Sequence, residues 1–283
     1  MGVKIVECPR DAMQGINTFI ATEKKIAYIN KILSVGFDTV DFGSFVSPKS
    51  IPQMRDTAEV LNGLNLQNTK SKLLAIVGNR KGAAEACSFD EITYLGFPFS
   101  ISETFQQRNT NASINESLKR VDEIQNLCVQ NDKELVVYIS MAFGNPYGDE
   151  WGSEVAIKWT AQLAQRGIRI IALSDTIGVA DTSTINELFT TLIPEFSSVE
   201  FGAHFHTTKS KWEEKVDAAY ESGCRRFDGA IKGYGGCPLA TDSLTGNMPT
   251  EKLIEYFLSK NTSLFYNEDM FKEAMLYAQQ ILG

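Results

Sequence analysis

The chain has 283 residues, 43% hydrophobic and 22% charged, which suits a globular protein with a sizeable core. With 27 Lys and Arg against 35 Asp and Glu the net charge is −8, which argues against a nucleic-acid partner, because phosphate binding needs an excess of cations. No apolar run approaches the roughly 20 residues of a membrane span.

The first predicted strand is VKIVEC from Val3, and it leaves no room for a signal peptide. The five cysteines are odd in number and lack CxxC spacing, so reduced thiols in a cytoplasmic protein are expected. Strand one runs into Arg10, Asp11 and Gln14. TEKKIAYINKILSVG from Thr22 has the helical period and stops at Gly36. TVDFG from Thr39 is the second strand, carrying Asp41 with Ser44 just beyond. KLLAIVG from Lys72 and EITYLGFPF from Glu91 follow, with Arg80 in the GNRKG segment between them. INESLKRVDEIQNLCVQ from Ile114 is helical. LVVYISM from Leu135 and RIIALSD from Arg169 are strands five and six, the sixth ending on Asp175 and Thr176. VEFGAHFH from Val199 is the seventh and ends with His204 and His206, the two histidines of the chain. After the helical EEKVDAAYESG comes RRFDGAI from Arg225, the eighth strand, then GYGGCPLATDSLTGN with Cys237 and Asn247. A last helical run starts at Glu268.

Strands alternating with helices predict a parallel sheet with right-handed crossovers. Eight such units predict an α/β fold, a closed (β/α)₈ TIM barrel with an extra C-terminal helix, as one domain over 1–283. An open doubly wound sheet competes. Against it, no GxGxxG follows strand one and no GxxxxGK[ST] occurs.

A barrel of this kind carries its active site at the C-terminal ends of the strands, so these polar residues fall on one rim. Side chains two apart share a strand face. Phe201, Ala203 and Phe205 therefore face the helices, and Gly202, His204 and His206 face the axis. In strand two, Val40 and Phe42 alternate against Asp41 and Gly43 in the same way. Two imidazoles with Asp11 and the amide oxygen of Asn247 make a mixed nitrogen and oxygen site for a divalent cation. Carboxylate and carbonyl ligands favour Mg²⁺ or Mn²⁺, and the imidazoles keep Zn²⁺, Co²⁺ or Fe²⁺ open. Each feature also has a plainer reading. The histidines can be a hydrogen-bonded pair, Arg10 and Asp11 a surface ion pair, and Asp175 a helix N-cap. GYGGC can be a simple turn, and Arg80 can be solvated or meet a ligand phosphate.

Taken together, CPRDAMQ, SFVSPKSIPQM, SETFQQRNTNASINES, SDTIG, HFH, and GGCP followed by GN resemble the 3-hydroxy-3-methylglutaryl-CoA lyases of the DRE-TIM metallolyase barrels. The resemblance runs nearly end to end. It implies cleavage of 3-hydroxy-3-methylglutaryl-CoA to acetoacetate and acetyl-CoA, with an acyl-CoA substrate and a divalent cation. It implies that Asp11, His204, His206 and Asn247 ligate the metal and that Arg10 stabilises the enolate oxygen formed at the thioester. Asp41 stands where the family has a glutamate, Asp175 lines the site near the reacting hydroxyl, and Cys237 takes part in proton transfer. Gln14, Ser44 and Arg80 are expected to contact the substrate. A homodimer is compatible with a barrel of this class. The chain departs from the family pattern at Asp41, at TTKS after the second histidine, and at Asn145. These departures leave open an aldolase of the same barrel family acting on another 3-hydroxy or 2-oxo acid. A non-catalytic barrel is the third reading.

Overall fold

The computed structural model describes residues 2–236 and 245–283. All eight predicted strands form: β1 (Lys4–Glu7), β2 (Thr39–Ser44), β3 (Lys72–Ile76), β4 (Ile92–Ser100), β5 (Glu134–Ser140), β6 (Ile170–Asp175), β7 (Glu200–Thr207) and β8 (Arg226–Gly229). Each pairs in parallel with its sequence neighbours, and β8 returns to β1 in the register Lys4↔Arg226 to Glu7↔Gly229. The sheet thus closes into the expected TIM barrel. A two-residue strand, β9 (Gly246–Asn247), pairs antiparallel with the end of β7.

The helices are α1 (Pro9–Gln14), α2 (Thr22–Val35), α3 (Thr57–Asn62), α4 (Arg80–Cys87), α5 (Glu103–Thr110) and α6 (Ile114–Gln130), then α7 (Ser153–Ala164), α8 (Thr182–Glu195), α9 (Trp212–Glu221), α10 (Thr250–Ser259) and α11 (Glu268–Leu282). Their ends follow local chemistry. Gly36 ends α2 in the left-handed conformation, and a reciprocal Ser113–Glu116 capping box opens α6. The predicted C-terminal helix is α11, which packs on α2 through Tyr28 against Tyr277 and sets Phe271 edge-on to Phe37 at 5.9 Å. Among the described residues, no helix is long and apolar enough to cross a membrane.

Strand alternation sorts the side chains into two layers. The outer layer, between sheet and helices, holds Phe97, Phe99, Phe201, Ala203 and Phe205. Removing each fully buried phenyl ring from water contributes roughly 2–3 kcal/mol. The inner layer holds Leu74, Ile76, Tyr94, Val136, Tyr138, Ile170 and Ala172. Gly202 faces inward, where a Cβ would stand 3.3 Å from Cδ of Arg226. Ala172, beside it, keeps the same layer open for the arginine stem.

Strand two departs from simple alternation. A register irregularity lies between Asp41 and Gly43, so Asp41 pairs with inward Leu74 but Gly43 pairs with outward Ala75. Gly43 therefore faces the helices, and a Cβ there would meet Thr57 Cγ2 at 2.5 Å. The expectation that Gly43 shares the face of Asp41 is corrected by this bulge, which inserts one residue and resets the period of two. Ser44 then pairs with Ile76.

Candidate active site

The site starts where β1 becomes α1. Pro9 at the first helical position starts the helix directly after the strand, which places Arg10 and Asp11 in its first turn at the barrel mouth. Both are buried. Arg10 is not a surface ion pair. Its Nη2 donates to Asp41 Oδ2 at 2.5 Å, its Nε to both Asp41 oxygens at 3.1 and 3.2 Å, and its Nη1 to Asp11 Oδ1 at 3.1 Å. The two carboxylates outweigh burial and push the guanidinium further up. Burial pushes Asp41 up to about 6, against the pull of Arg10.

Asp11 also accepts from Gln14 Nε2, and its Oδ2 lies 3.9 Å from His204 Nε2. Burial opposes its charge, but Arg10 and the two imidazoles reverse that and hold the carboxyl below its ordinary range. The Nδ1 of His204 donates to Asp228 Oδ2 at 3.0 Å, which turns Nε2 toward Asp11. Burial would lower this imidazole, and the Asp228 and Asp11 carboxylates raise it instead. Burial pushes His206 down to about 4 with help from His204, so it is neutral at pH 7, and its Nδ1 has no hydrogen-bond partner among the described residues. One ligand atom from each of Asp11, His204 and His206 lies within 4.8 Å of the others.

Asn247 reaches this cluster through β9, which pairs it with His206. Its amide nitrogen donates to the Tyr234 carbonyl at 2.9 Å, and its side chain bonds to Asp11. Gly235 makes the approach feasible: φ is +83°, and a Cβ there would stand 2.4 Å from the Asp11 carbonyl and 2.9 Å from Asn247 Nδ2. The glycine run is thus more than a simple turn.

This donor set fits a divalent cation. It offers an ionised carboxylate, a neutral imidazole whose Nδ1 has no partner among the described residues, a second imidazole oriented by a carboxylate, and an amide beside them. The cluster opens into a cavity of about 770 Å³ that also takes in Tyr138, Ser174, Thr176, Arg108 and Arg120.

The other sequence-predicted residues divide. Gln14 lines the cavity and Asp41 sits behind Arg10. Ser44 is buried, with its hydroxyl donating to the Ile76 carbonyl at 3.2 Å, outside the cavity lining. Arg80 is exposed at the start of α4, and its neighbours Gly78 and Asn79 line the cavity in its place. Asp175 alternates with Ser174 and turns outward. It accepts from Val179 N, Ala180 N and Lys215 Nζ, away from the cavity. Cys237 lies outside the described residues.

Sequence reasoning missed Asp228, although the alternation used for β7 places it inward on the next strand. It also missed Tyr138, whose ring stands edge-on to His204 at 5.5 Å. Arg108 and Arg120 come from helical segments and carry no local signal.

The HMGL-like family model matches residues 3–270. The chain is 32% identical to the hydroxymethylglutaryl-CoA lyase of Bacillus subtilis (strain 168), over 87% of this chain and 81% of that one. It is 34% identical to the 3-hydroxy-3-isohexenylglutaryl-CoA/hydroxymethylglutaryl-CoA lyase of Pseudomonas aeruginosa, over 89% and 83%. Its structure is similar to that of an HMG-CoA lyase from Brucella melitensis, with a TM-score of 0.92 at 28% identity over 99% and 98% of the two chains. It is also similar to an HMG-CoA lyase from Acinetobacter baumannii in complex with coenzyme A and 3-methylmalate, with a TM-score of 0.91 at 29% identity over 99% and 91%. With the barrel, the rim cluster and end-to-end similarity in agreement, the chain belongs to the HMGL-like family.

Proposed function

We propose that this protein is a divalent-cation-dependent carbon–carbon lyase that cleaves 3-hydroxy-3-methylglutaryl-CoA to acetoacetate and acetyl-CoA, with residues 1–283 acting as one catalytic domain. The observation that carries this reading is the meeting of Asp11, His204 and His206 in one cavity with Arg10, which Asp41 holds from behind. A cation held by Asp11, His204, His206 and Asn247, Mg²⁺ or Mn²⁺ by its oxygen ligands, supplies acidification and orientation of the tertiary hydroxyl.

The residues of the chain divide the remaining work. Arg10, fixed by Asp41 and Asp11, faces the cavity and offers its positive charge to the thioester oxygen, where enolate charge develops as the C–C bond breaks. Asp228 holds His204 in one tautomer. The enolate carbon must then receive a proton, a task the family resemblance gives to Cys237. Arg108 and Arg120, which line the same cavity, offer positive charge to the anionic groups of an acyl-CoA. The same reading makes the protein a cytoplasmic homodimer, which light scattering of the purified protein and cell fractionation test.

Purified protein with Mg²⁺ or Mn²⁺ should release acetoacetate and acetyl-CoA in equal amounts from the thioester. An absence of turnover with saturating cation would remove the substrate assignment. Asp41 and Thr207, both departures from the family pattern, favour a second reading in which the substrate is another 3-hydroxy acid or a 2-oxo acid. Thermal stabilisation by free hydroxy acids but not by coenzyme A would support it.

A further inference from the structure

Lys215, on α9, has 0% exposure, and so does its partner Asp175. Burying an isolated ammonium is prohibitively costly, so such a group survives only when its donors are matched. Here the match is complete. The three N–H bonds go to Asp175 Oδ2 at 2.6 Å, the Gly178 carbonyl at 3.1 Å and the His206 carbonyl at 3.0 Å. Asp175 is equally committed, with Oδ1 accepting from Val179 N at 2.8 Å and Oδ2 from Ala180 N at 3.1 Å.

The three acceptors of Lys215 belong to the last residue of β6, the loop after it and the end of β7. One helix cation therefore ties the backbone of His206 to the neighbouring strand end from behind. The adjoining Thr176 lines the cavity and accepts from Met141 N at 2.8 Å, so the same anchor extends to β5. The His206 ring bonds to the backbone of Gly246, and its Nδ1 has no partner among the described residues, so the Lys215 bond to its carbonyl is a second hold on this residue.

We infer that Lys215 is a positioning residue: its bond to the His206 carbonyl sets the imidazole for the cation site, and Asp175 is its counter-charge instead of a group facing substrate. The functional importance of this position rests on the proposed cation site. An ion pair retained only for stability would be replaceable by apolar groups with little effect on that imidazole.

The chain has two histidines, so its imidazole NMR spectrum contains two ring systems, which a His206→Gln variant assigns. Lys215→Met leaves Asp175 buried without its cation, so the decisive protein is the double variant Lys215→Met with Asp175→Asn, which removes both charges. The double variant should recover most of the thermal midpoint lost in Lys215→Met. Its His206 ring signals should nevertheless shift or broaden while those of His204 hold, and Mn²⁺ binding by calorimetry should weaken about tenfold. Wild-type His206 signals in the double variant would overturn the inference. Failure of the wild-type protein to bind Mn²⁺ would instead remove the cation site, and the NMR comparison would still decide whether Lys215 positions the ring.

Discussion

The two ends of the barrel use the same residue types to different effect. At the base, around an opening of about 520 Å³, Lys4 meets Glu200 at 2.7 Å and Lys72 donates to the Tyr94 hydroxyl at 3.0 Å. The side chains of Lys4 and Glu200 are 39% and 30% exposed, so water competes with the pair. At the rim, Asp11, Asp41 and Asp228 are buried and each has a fixed partner. Exclusion of water makes these contacts strong and lets them set protonation states and geometry. The base pairs hold a surface; the rim pairs hold chemistry. Burial makes that difference, since lysines, arginines and acids occur at both ends.

Loss of a member of the rim cluster should have the largest effect on the protein. Asp11→Ala or His206→Ala should weaken Mn²⁺ binding by at least about 100-fold, beyond the loss typical of an outer partner, and should take lyase activity below detection. Calorimetry and a coupled acetoacetate assay measure both. Arg10→Met should lower kcat by about 10²–10³-fold, the usual cost of a lost oxyanion partner, while cation affinity changes far less. Arg10→Lys should not restore the rate, because one ammonium cannot reproduce the forked contact with Asp41.

Asp228→Asn sharpens the contrast one step further out. It keeps the shape but weakens the hold on His204 Nδ1, and cation affinity should fall by about 10–100-fold.

Glu7, also at the rim end, gives a pH signature. It is buried, accepts from Ile231 N and the Thr250 hydroxyl, and burial pushes its pKa from 4.5 up to about 8. Between those values the folded chain keeps a proton that the unfolded chain releases. This contribution is therefore complete below pH 4.5 and is lost as pH rises toward 8, at up to about 1.4 kcal/mol per pH unit. Denaturant titrations across that window should show the slope, and Glu7→Gln should flatten it. The smallest effect belongs to the base: Lys4→Met should cost less than about 1 kcal/mol and leave turnover unchanged, since exposed pairs contribute little.

The order of eight βα units, the inward direction of His204 and His206, and the placement of Arg10 and Asp11 just past β1 are legible in the order of amino acids. These are local properties. A run of apolar residues with a period of two fixes which face a side chain takes, and Pro9 fixes where the helix begins. It takes the folded barrel to turn Gly43 outward at a bulge, to orient His204 by Asp228, and to pair Asp175 with Lys215. The physical reason is distance along the chain. A bulge is defined by its register with a partner strand, and the contacts from Asp228 to His204 and from Lys215 to Asp175 span 24 and 40 residues. No local period encodes such contacts; closure of the barrel creates them.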